Sequence, residues 1–288
     1  FSDASVALVP SAPGDRKNWT HAGKSLNENG LGRMSFLLSK EPWPPKIGAK
    51  ETGTLVCQCS SIGSLNANWL NAFKRHLLPD AKFPEDNGLQ IIWPSVASVR
   101  NSLEGWAAGG SIPAPHKNIF DPKTKKLKET LSKSLCKWKG NSIYGRDCAM
   151  PHIKSYFRYF PNRKGSGVLW FLLTSANMST TAWGLKQKDN ALSIKSFELG
   201  VLFVPSLLKR PKGEGVEFSV DPGGPLEDFK LVRRGMDDAA LESGIPMNLL
   251  PIPYVVPPKV FDLRDGDEPW TVDVPRTMLD SHGSKWMA

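Results

Sequence analysis

His152 and Lys154 stand two residues apart in "PHIKSYFRYF", and Asn177 follows 25 residues later in "TSANMS", at the end of another apolar run. On a β-strand, residues i and i+2 project from one face, so the imidazole and the ammonium would stand side by side. Pro151 suits the first position of such a strand. Lysine and asparagine donate hydrogen bonds to the non-bridging oxygens of a phosphate, while histidine moves protons or attacks phosphorus. Together with the flanking hydroxyls of Ser175 and Ser179, these are the parts that metal-free phosphoryl chemistry requires. Glu198, in "SFELGVLF", adds a carboxylate among apolar strand residues, where it needs a partner such as a catalytic imidazole. The plain alternative is a surface His and Lys beside a capped turn, with Glu198 in an ordinary ion pair. With five His in a Lys-rich chain, a His-x-Lys can arise by chance.

The elements that must position these residues read as strands separated by helices. "ASVALVPSAPG" is a strand ending in a turn, and "GTLVCQCSS" is a second strand. In "IGSLNANWLNAFKRHLL" the spacing of Leu65, Trp69, Leu70, Phe73 and Leu77 predicts an amphipathic helix, with Ser64 as its cap. "LQIIWPSVASVRNSLEG" predicts a strand, a stop at Pro94 and a helix capped by Ser95. "WAAGGSIPAP" reads as an irregular loop because Gly109, Gly110 and the prolines oppose regular structure. The Lys-rich segment 117–139 carries Leu127, Leu131, Leu135 and Trp138 at helical spacing, which predicts an amphipathic helix with its lysines outward. Strands follow at "HIKSYFRYF", "VLWFLLTS" and "SFELGVLFVP", and Ser179 is placed to cap a helix at "TTAWG". Residues 206–250 read as looser and loop-rich, and "PIPYVVPP" as a rigid proline-rich crossing. The expected fold class is α/β, a layered α-β-α sandwich with a mixed sheet, in one domain over 1–288 without internal repeats.

Composition narrows the function classes. The 288 residues can bury a sizeable core, and no run approaches the roughly 18 apolar residues of a membrane span. Cys57, Cys59 and Cys148 could be imagined with His152 as a zinc site. The absence of any Cys-x-x-Cys and the wide spacing argue instead for no metal and for buried, reduced thiols in an intracellular protein. The sequons at Asn18 and Asn177 point the same way, since a glycan on Asn177 would occupy the candidate site. Residues 1–20 lack the pattern of a signal peptide. The chain opens on "FSDASVALV" without an initiator Met, which reads as a start inside a larger protein. Net charge is +9, and segment 117–139 holds eight Lys against Asp121 and Glu129. Such a concentration suits a polyanion partner, nucleic acid first, or simply a solvated face.

The blocks "MPHIKSYFRYFP", "WFLLTSANMSTTAWG" and "SFELGVLFVPS" resemble the second catalytic region of the tyrosyl-DNA phosphodiesterase family, in the phospholipase D superfamily. "CSSIGSLNANWL", "WPSVASVRNSLEGWAAGGSIP" and the closing "DSHGSKW" extend the resemblance, in order, over nearly the whole chain. Residues 79–90, 114–140 and 206–250 match poorly.

That family builds its site from two halves, each giving a His-x-Lys and an Asn. This chain holds one such set, because His21, His116 and His282 lack the pattern. The resemblance therefore implies a C-terminal half, whose N-terminal partner carries the nucleophilic His. It implies that His152 is the general acid that protonates the departing tyrosyl oxygen of a 3′-phosphotyrosyl DNA end. His152 would then be the general base that activates water against a covalent phosphohistidine. Lys154 and Asn177 would grip the phosphate, and Glu198 would orient one of the two catalytic histidines. Ser60, Ser61, Ser111 and Ser179 fall where relatives contact the DNA backbone, with Pro113 and Trp286 near the site; Trp286 could equally be packing the C-terminus. The implied partners are blocked DNA 3′ ends and the N-terminal half, with no cofactor, metal or membrane, in the nucleus. Two other classes stay open: a non-catalytic DNA-binding or interaction module of the same fold, and a phospholipase.

Overall fold

The computed structural model describes residues 6–16, 26–41, 54–78, 88–140, 142, 145–159, 168–186, 192–204, 207 and 252–288. Apart from Leu207, the loop-rich stretch at 206–250 lies outside them, as do residues 1–5, the Asn18 sequon and His21.

A seven-stranded sheet carries the molecule. Its strands are β1 (Ala7–Ser11), β3 (Thr54–Gln58), β4 (Leu89–Trp93), β5 (Leu135–Lys137), β6 (Lys154–Tyr159), β7 (Val168–Thr174) and β10 (Glu198–Phe203), in the order β1-β10-β7-β6-β3-β4-β5. β3, β4 and β5 run parallel and the other neighbours antiparallel, so the sheet is mixed as expected. Central strands buried on both faces carry apolar residues, or polar ones that find partners. β6 (KSYFRY) is buried at every position, and β7 (VLWFLLT) at all but Leu173. A small sheet of β2 (Gly14–Arg16), β8 (Leu185–Lys186) and β9 (Leu192–Ile194) pairs in the order β2-β9-β8.

The helices are α1 (Gly30–Ser39), α2 (Ala67–Leu77), α3 (Val96–Arg100), α4 (His116–Ile119), α5 (Glu129–Ser132) and α6 (Thr180–Trp183). Their buried apolar residues all join the larger core cluster with Leu55, Cys57, Tyr156 and Leu172. A second cluster, Val56, Ile92, Trp138, Phe157 and Phe171, lies on the alternate strand positions and is roofed by Tyr254 and Val256. The proline-rich crossing at 252–258 is thus that roof, tied by the Tyr254–Gly140 bridge, by Val255 N donating to Lys139 O and by a 2.6 Å hydrogen bond between Ser155 Oγ and Tyr254 OH.

Three local expectations give way to other devices. The helix stripe Leu65, Trp69, Leu70, Phe73 and Leu77 is buried as read, yet its cap is Asn66, whose side chain accepts from the Trp69 N–H, and not Ser64. "WAAGGS" is a 3-10 helix, Gly105–Ser111, and not an irregular loop. Gly109 admits Trp270: a Cβ there would lie 2.1 Å from that indole. The Lys-rich segment is not one helix. Asp121 accepts from the N–H groups of Lys123 and Thr124, Lys125 turns with φ 58, and Phe120 bridges to Leu127. Leu131 then falls on short α5 while Leu135 belongs to strand β5. The Asp121–Pro122 turn breaks a leucine spacing that looked helical.

Candidate active site

One edge of the sheet gathers the start of β6, the ends of β3 and β7 and the start of β10. β6 begins at Lys154, so His152 precedes the strand instead of lying on it. The pairing stops there for a reason: Lys154 is opposite Thr174, and the next N–H on that side, Ser175, donates to Leu199 O at 3.1 Å. The His–Lys proximity survives by another route. Lys154 Nζ donates to His152 O at 2.7 Å and lies 3.4 Å from both Nδ1 and Nε2 of the ring. The ammonium therefore sits against the imidazole, within reach of whichever ring nitrogen is unprotonated. The imidazole is held below its ordinary pKa, first by desolvation and then by the Lys154 charge.

Lys154 itself is only 6% exposed. Desolvation pulls its pKa down, while the charges of Cys59, if ionised, and Glu198 would hold the ammonium on. Burial pushes the Cys59 thiol up to about 12, so near neutrality Glu198 is the effective counter-charge. A desolvated cation at a sheet edge is a strong attractor for an anion.

Asn177 is fixed more firmly than its loop position suggests. Its Oδ1 accepts from the backbone N–H groups of Ser60 at 3.0 Å and Ser61 at 2.9 Å, and from Ser60 Oγ at 3.3 Å. Those donors set the amide orientation, so Nδ2 presents its hydrogens on the opposite side, where a phosphate oxygen can take them. The two loops meet closely: Ile62 bridges to Met178, Gly63 N donates to Met178 O at 3.0 Å, and a Cβ on Gly63 would come within 3.1 Å of Ser179.

Glu198 accepts a 2.5 Å hydrogen bond from Ser175 Oγ, which in turn accepts from Leu199 N at 3.1 Å. Among the described residues its hydrogen-bond partner is this serine and not His152. Sequence reasoning placed Ser175 beside Asn177 without seeing this contact, because nothing in the spacing of residues 175 and 198 reports it.

The remaining candidates divide. Ser60 is buried, and its hydroxyl points at Asn177. Ser61 Oγ donates to Pro113 O at 2.9 Å, which brings Pro113 to the site's border. Ser179 caps α6 through the Ala182 N–H and shares a 2.8 Å contact with Thr181. Ser111 is exposed and donates to Ala108 O. Trp286 donates to Val272 O and packs edge-on against Trp270, 5.4 Å between centroids. A Cβ built on Gly110, beside Ser111, would lie 4.0 Å from the Trp286 ring. Asn118, which the sequence did not single out, braces the 60–64 loop by donating to Ile62 O at 3.0 Å.

Cys57, Cys59 and Cys136 are buried, while Cys148 is exposed, against the reading of uniformly buried thiols. Among the described residues no three His, Cys, Asp or Glu side chains come together as a metal site, and no described helix is long and apolar enough to cross a membrane.

A mixed sheet whose edge presents an imidazole, a desolvated ammonium and an oriented amide defines an α/β domain equipped to hold a tetrahedral anion. The family profile described as tyrosyl-DNA phosphodiesterase matches residues 1–262. Tyrosyl-DNA phosphodiesterase 1 of Arabidopsis thaliana is 36% identical over 99% of this chain and 46% of its own length. A probable tyrosyl-DNA phosphodiesterase of Schizosaccharomyces pombe is 29% identical over 99% of this chain and 52% of its own length. A crystal structure of a yeast tyrosyl-DNA phosphodiesterase mutant shares the fold, with a TM-score of 0.57 at 19% identity over 94% of this chain and 57% of that one. The chain belongs to the tyrosyl-DNA phosphodiesterase family and has its phospholipase D-like α/β fold. It spans about half the length of these relatives.

Proposed function

We propose that this chain is the acid/base half of a DNA-repair phosphodiesterase that hydrolyses 3′-phosphotyrosyl and related blocked DNA ends. The observation that carries the reading is the convergence of His152, Lys154 and an Asn177 amide whose orientation is set by the Ser60 and Ser61 N–H groups. In the first step a histidine of the other half attacks phosphorus, forming a P–N bond. The P–O bond to the tyrosyl oxygen breaks, and that oxygen takes the His152 proton. In the second step neutral His152 accepts a proton from water, the water oxygen bonds to phosphorus, and the P–N bond breaks to release a 3′-phosphate. Lys154 and Asn177 Nδ2 bind the non-bridging oxygens throughout and stabilise the charge that builds on them. Glu198, already bonded to Ser175, has a second carboxylate oxygen to orient a histidine of the other half.

A second body next to this site is supported by the sheet's outer face. Leu8, Val201 and Leu173 are register neighbours on β1, β10 and β7. Leu8 and Leu173 remain 50% and 40% exposed, and nearby Leu199 is 54% exposed. A row of exposed leucines on a sheet face is costly in water and marks an interaction surface. The same reading places the protein in the nucleus, which imaging of the tagged full-length protein tests.

The test is to mix the chain with the N-terminal half and follow a 3′-phosphotyrosyl oligonucleotide. With His152→Ala the first step slows and a covalent DNA adduct accumulates on the other half, because the water-activating base is gone. Unchanged turnover in His152→Ala would remove the acid/base assignment. DNA affinity that persists while His152→Ala has no effect in any reconstituted enzyme would favour a non-catalytic DNA-binding module.

A further inference from the structure

Ser175 stands beside the phosphate grip, and the proposed chemistry gives it no part. Its Oγ accepts from Leu199 N at 3.1 Å and meets Glu198 Oε2 at 2.5 Å. A carboxylate oxygen only accepts, so the serine proton points to Glu198. The separation is that of a charge-assisted O–H···O⁻ bond. A backbone N–H thus sets the hydroxyl, and the hydroxyl sets the carboxylate. Ser175 is exposed and Glu198 half-buried.

Two other polar groups near Glu198 are already committed. Its charge is felt at Tyr156, whose hydroxyl donates to Ala176 O at 2.9 Å. Thr174 is the register partner of Gly200, two residues on from Glu198. Its Oγ1 donates to Leu199 O at 3.3 Å and accepts from Ala176 N at 3.0 Å. Lys154 is different. It pairs with Thr174 from the other side of β7, so Glu198, Gly200, Thr174 and Lys154 share one face of the sheet. The Glu198 charge supports the Lys154 ammonium, yet among the described residues no ion pair joins them, and the carboxylate is held at Ser175. Lys154 Nζ gives one hydrogen to His152 O and keeps others for an anion. A loose carboxylate beside a desolvated ammonium would close onto it and take the donors that a phosphate needs.

We propose that Ser175 is a positioning residue for the phosphate grip: its hydroxyl tethers the Glu198 carboxylate away from Lys154 and keeps the ammonium open to an anion. The inference rests on the reading of Lys154 as a phosphate ligand. It gives Glu198 two places, one on Ser175 with the grip open and one on Lys154 with the grip closed.

The experiment measures binding of the 288-residue chain to a short single-stranded oligonucleotide with a 3′-phosphate or a 3′-hydroxyl end, and titrates the His152 ring by NMR. The unsubstituted chain should prefer the phosphate end, and Ser175→Ala should cut that preference about tenfold. Ser175→Ala should also move the His152 midpoint to higher pH, because an ion-paired Lys154 no longer sets an unbalanced positive charge beside the ring. Ser175→Thr keeps the hydroxyl at an exposed position and should match the unsubstituted chain in both readouts. Adding Glu198→Gln to Ser175→Ala should recover the preference, since the freed side chain then brings no charge to Lys154. A Ser175→Ala chain that keeps its preference overturns the tether while the phosphate grip stands. A loss that leaves the His152 midpoint unmoved, or that Glu198→Gln does not recover, also overturns it and makes Ser175 a structural part of the loop. If the unsubstituted chain binds both ends equally, the phosphate-grip reading fails and the tether fails with it.

Discussion

At the site, each group owes its chemistry to a neighbour. Lys154 lies against the His152 ring and adds a positive charge to a partly desolvated imidazole, so protonation costs more than in water. The sign follows directly: the His152 pKa lies below the usual value near 6.5, and removing the Lys154 charge raises it. An NMR titration of the His152 ring is expected to show the depressed pKa, with the midpoint moving to higher pH in Lys154→Met. Cleavage that needs His152 protonated should accordingly weaken as the pH rises through that depressed value. Asn177 illustrates a different dependence. Its Oδ1 is taken by Ser60 and Ser61, so Asn177→Asp keeps those hydrogen bonds and replaces the outward Nδ2 donor with a negative oxygen. The expected outcome is a roughly 10²–10³-fold loss of turnover in the reconstituted enzyme with little change in melting temperature. A loss of stability comparable to the loss of turnover would assign Asn177 a structural role only.

Among the elements, the closing "DSHGSKW" segment and the 3-10 helix at Gly105–Ser111 act as one unit. Asp280 accepts from the Trp106 N–H at 2.8 Å, Trp270 Nε1 donates to Gly109 O and Ile112 O, and Trp286 packs on Trp270. Gly109→Ala would drive a methyl into the Trp270 ring and should destabilise the chain by about 1–3 kcal/mol, read as a lower midpoint in urea. An unchanged midpoint would show that the ring moves freely aside. This unit also marks where the sequence is legible. The buried strand β7 and the Trp69–Leu77 stripe declare themselves because apolar sequence directly records burial, whereas β6 buries Lys154, Ser155 and Arg158 as well. His152, Lys154 and Asn177 were likewise visible by type and spacing. Devices that join residues far apart were not. The Asn177 clasp spans 117 residues to Ser60, and Gly109 is selected by an indole 161 residues away. The Lys-rich segment misleads for the opposite reason: its leucines keep helical spacing while Asp121, Pro122 and Lys125 impose a turn.

The whole molecule is a basic chain with net charge +9, a sheet edge that can grip a phosphate and an adjoining face with exposed leucines. The lysines at 117, 123, 125, 126, 133 and 139 are exposed, so they extend positive potential over one region of the surface. Such charge would attract a nucleic acid, and salt would weaken that attraction, but charge alone could not cleave a phosphodiester. Cleavage in this account needs a second histidine to attack phosphorus, and it must come from the other half. The most direct measurement is single-turnover cleavage of a 3′-phosphotyrosyl oligonucleotide by the chain alone and after addition of the N-terminal half. Negligible product is expected from the chain alone, and product that rises with the added half and depends on His152. Rapid cleavage by the chain alone that is lost in His152→Ala would contradict it and would favour two copies of this chain completing each other's site.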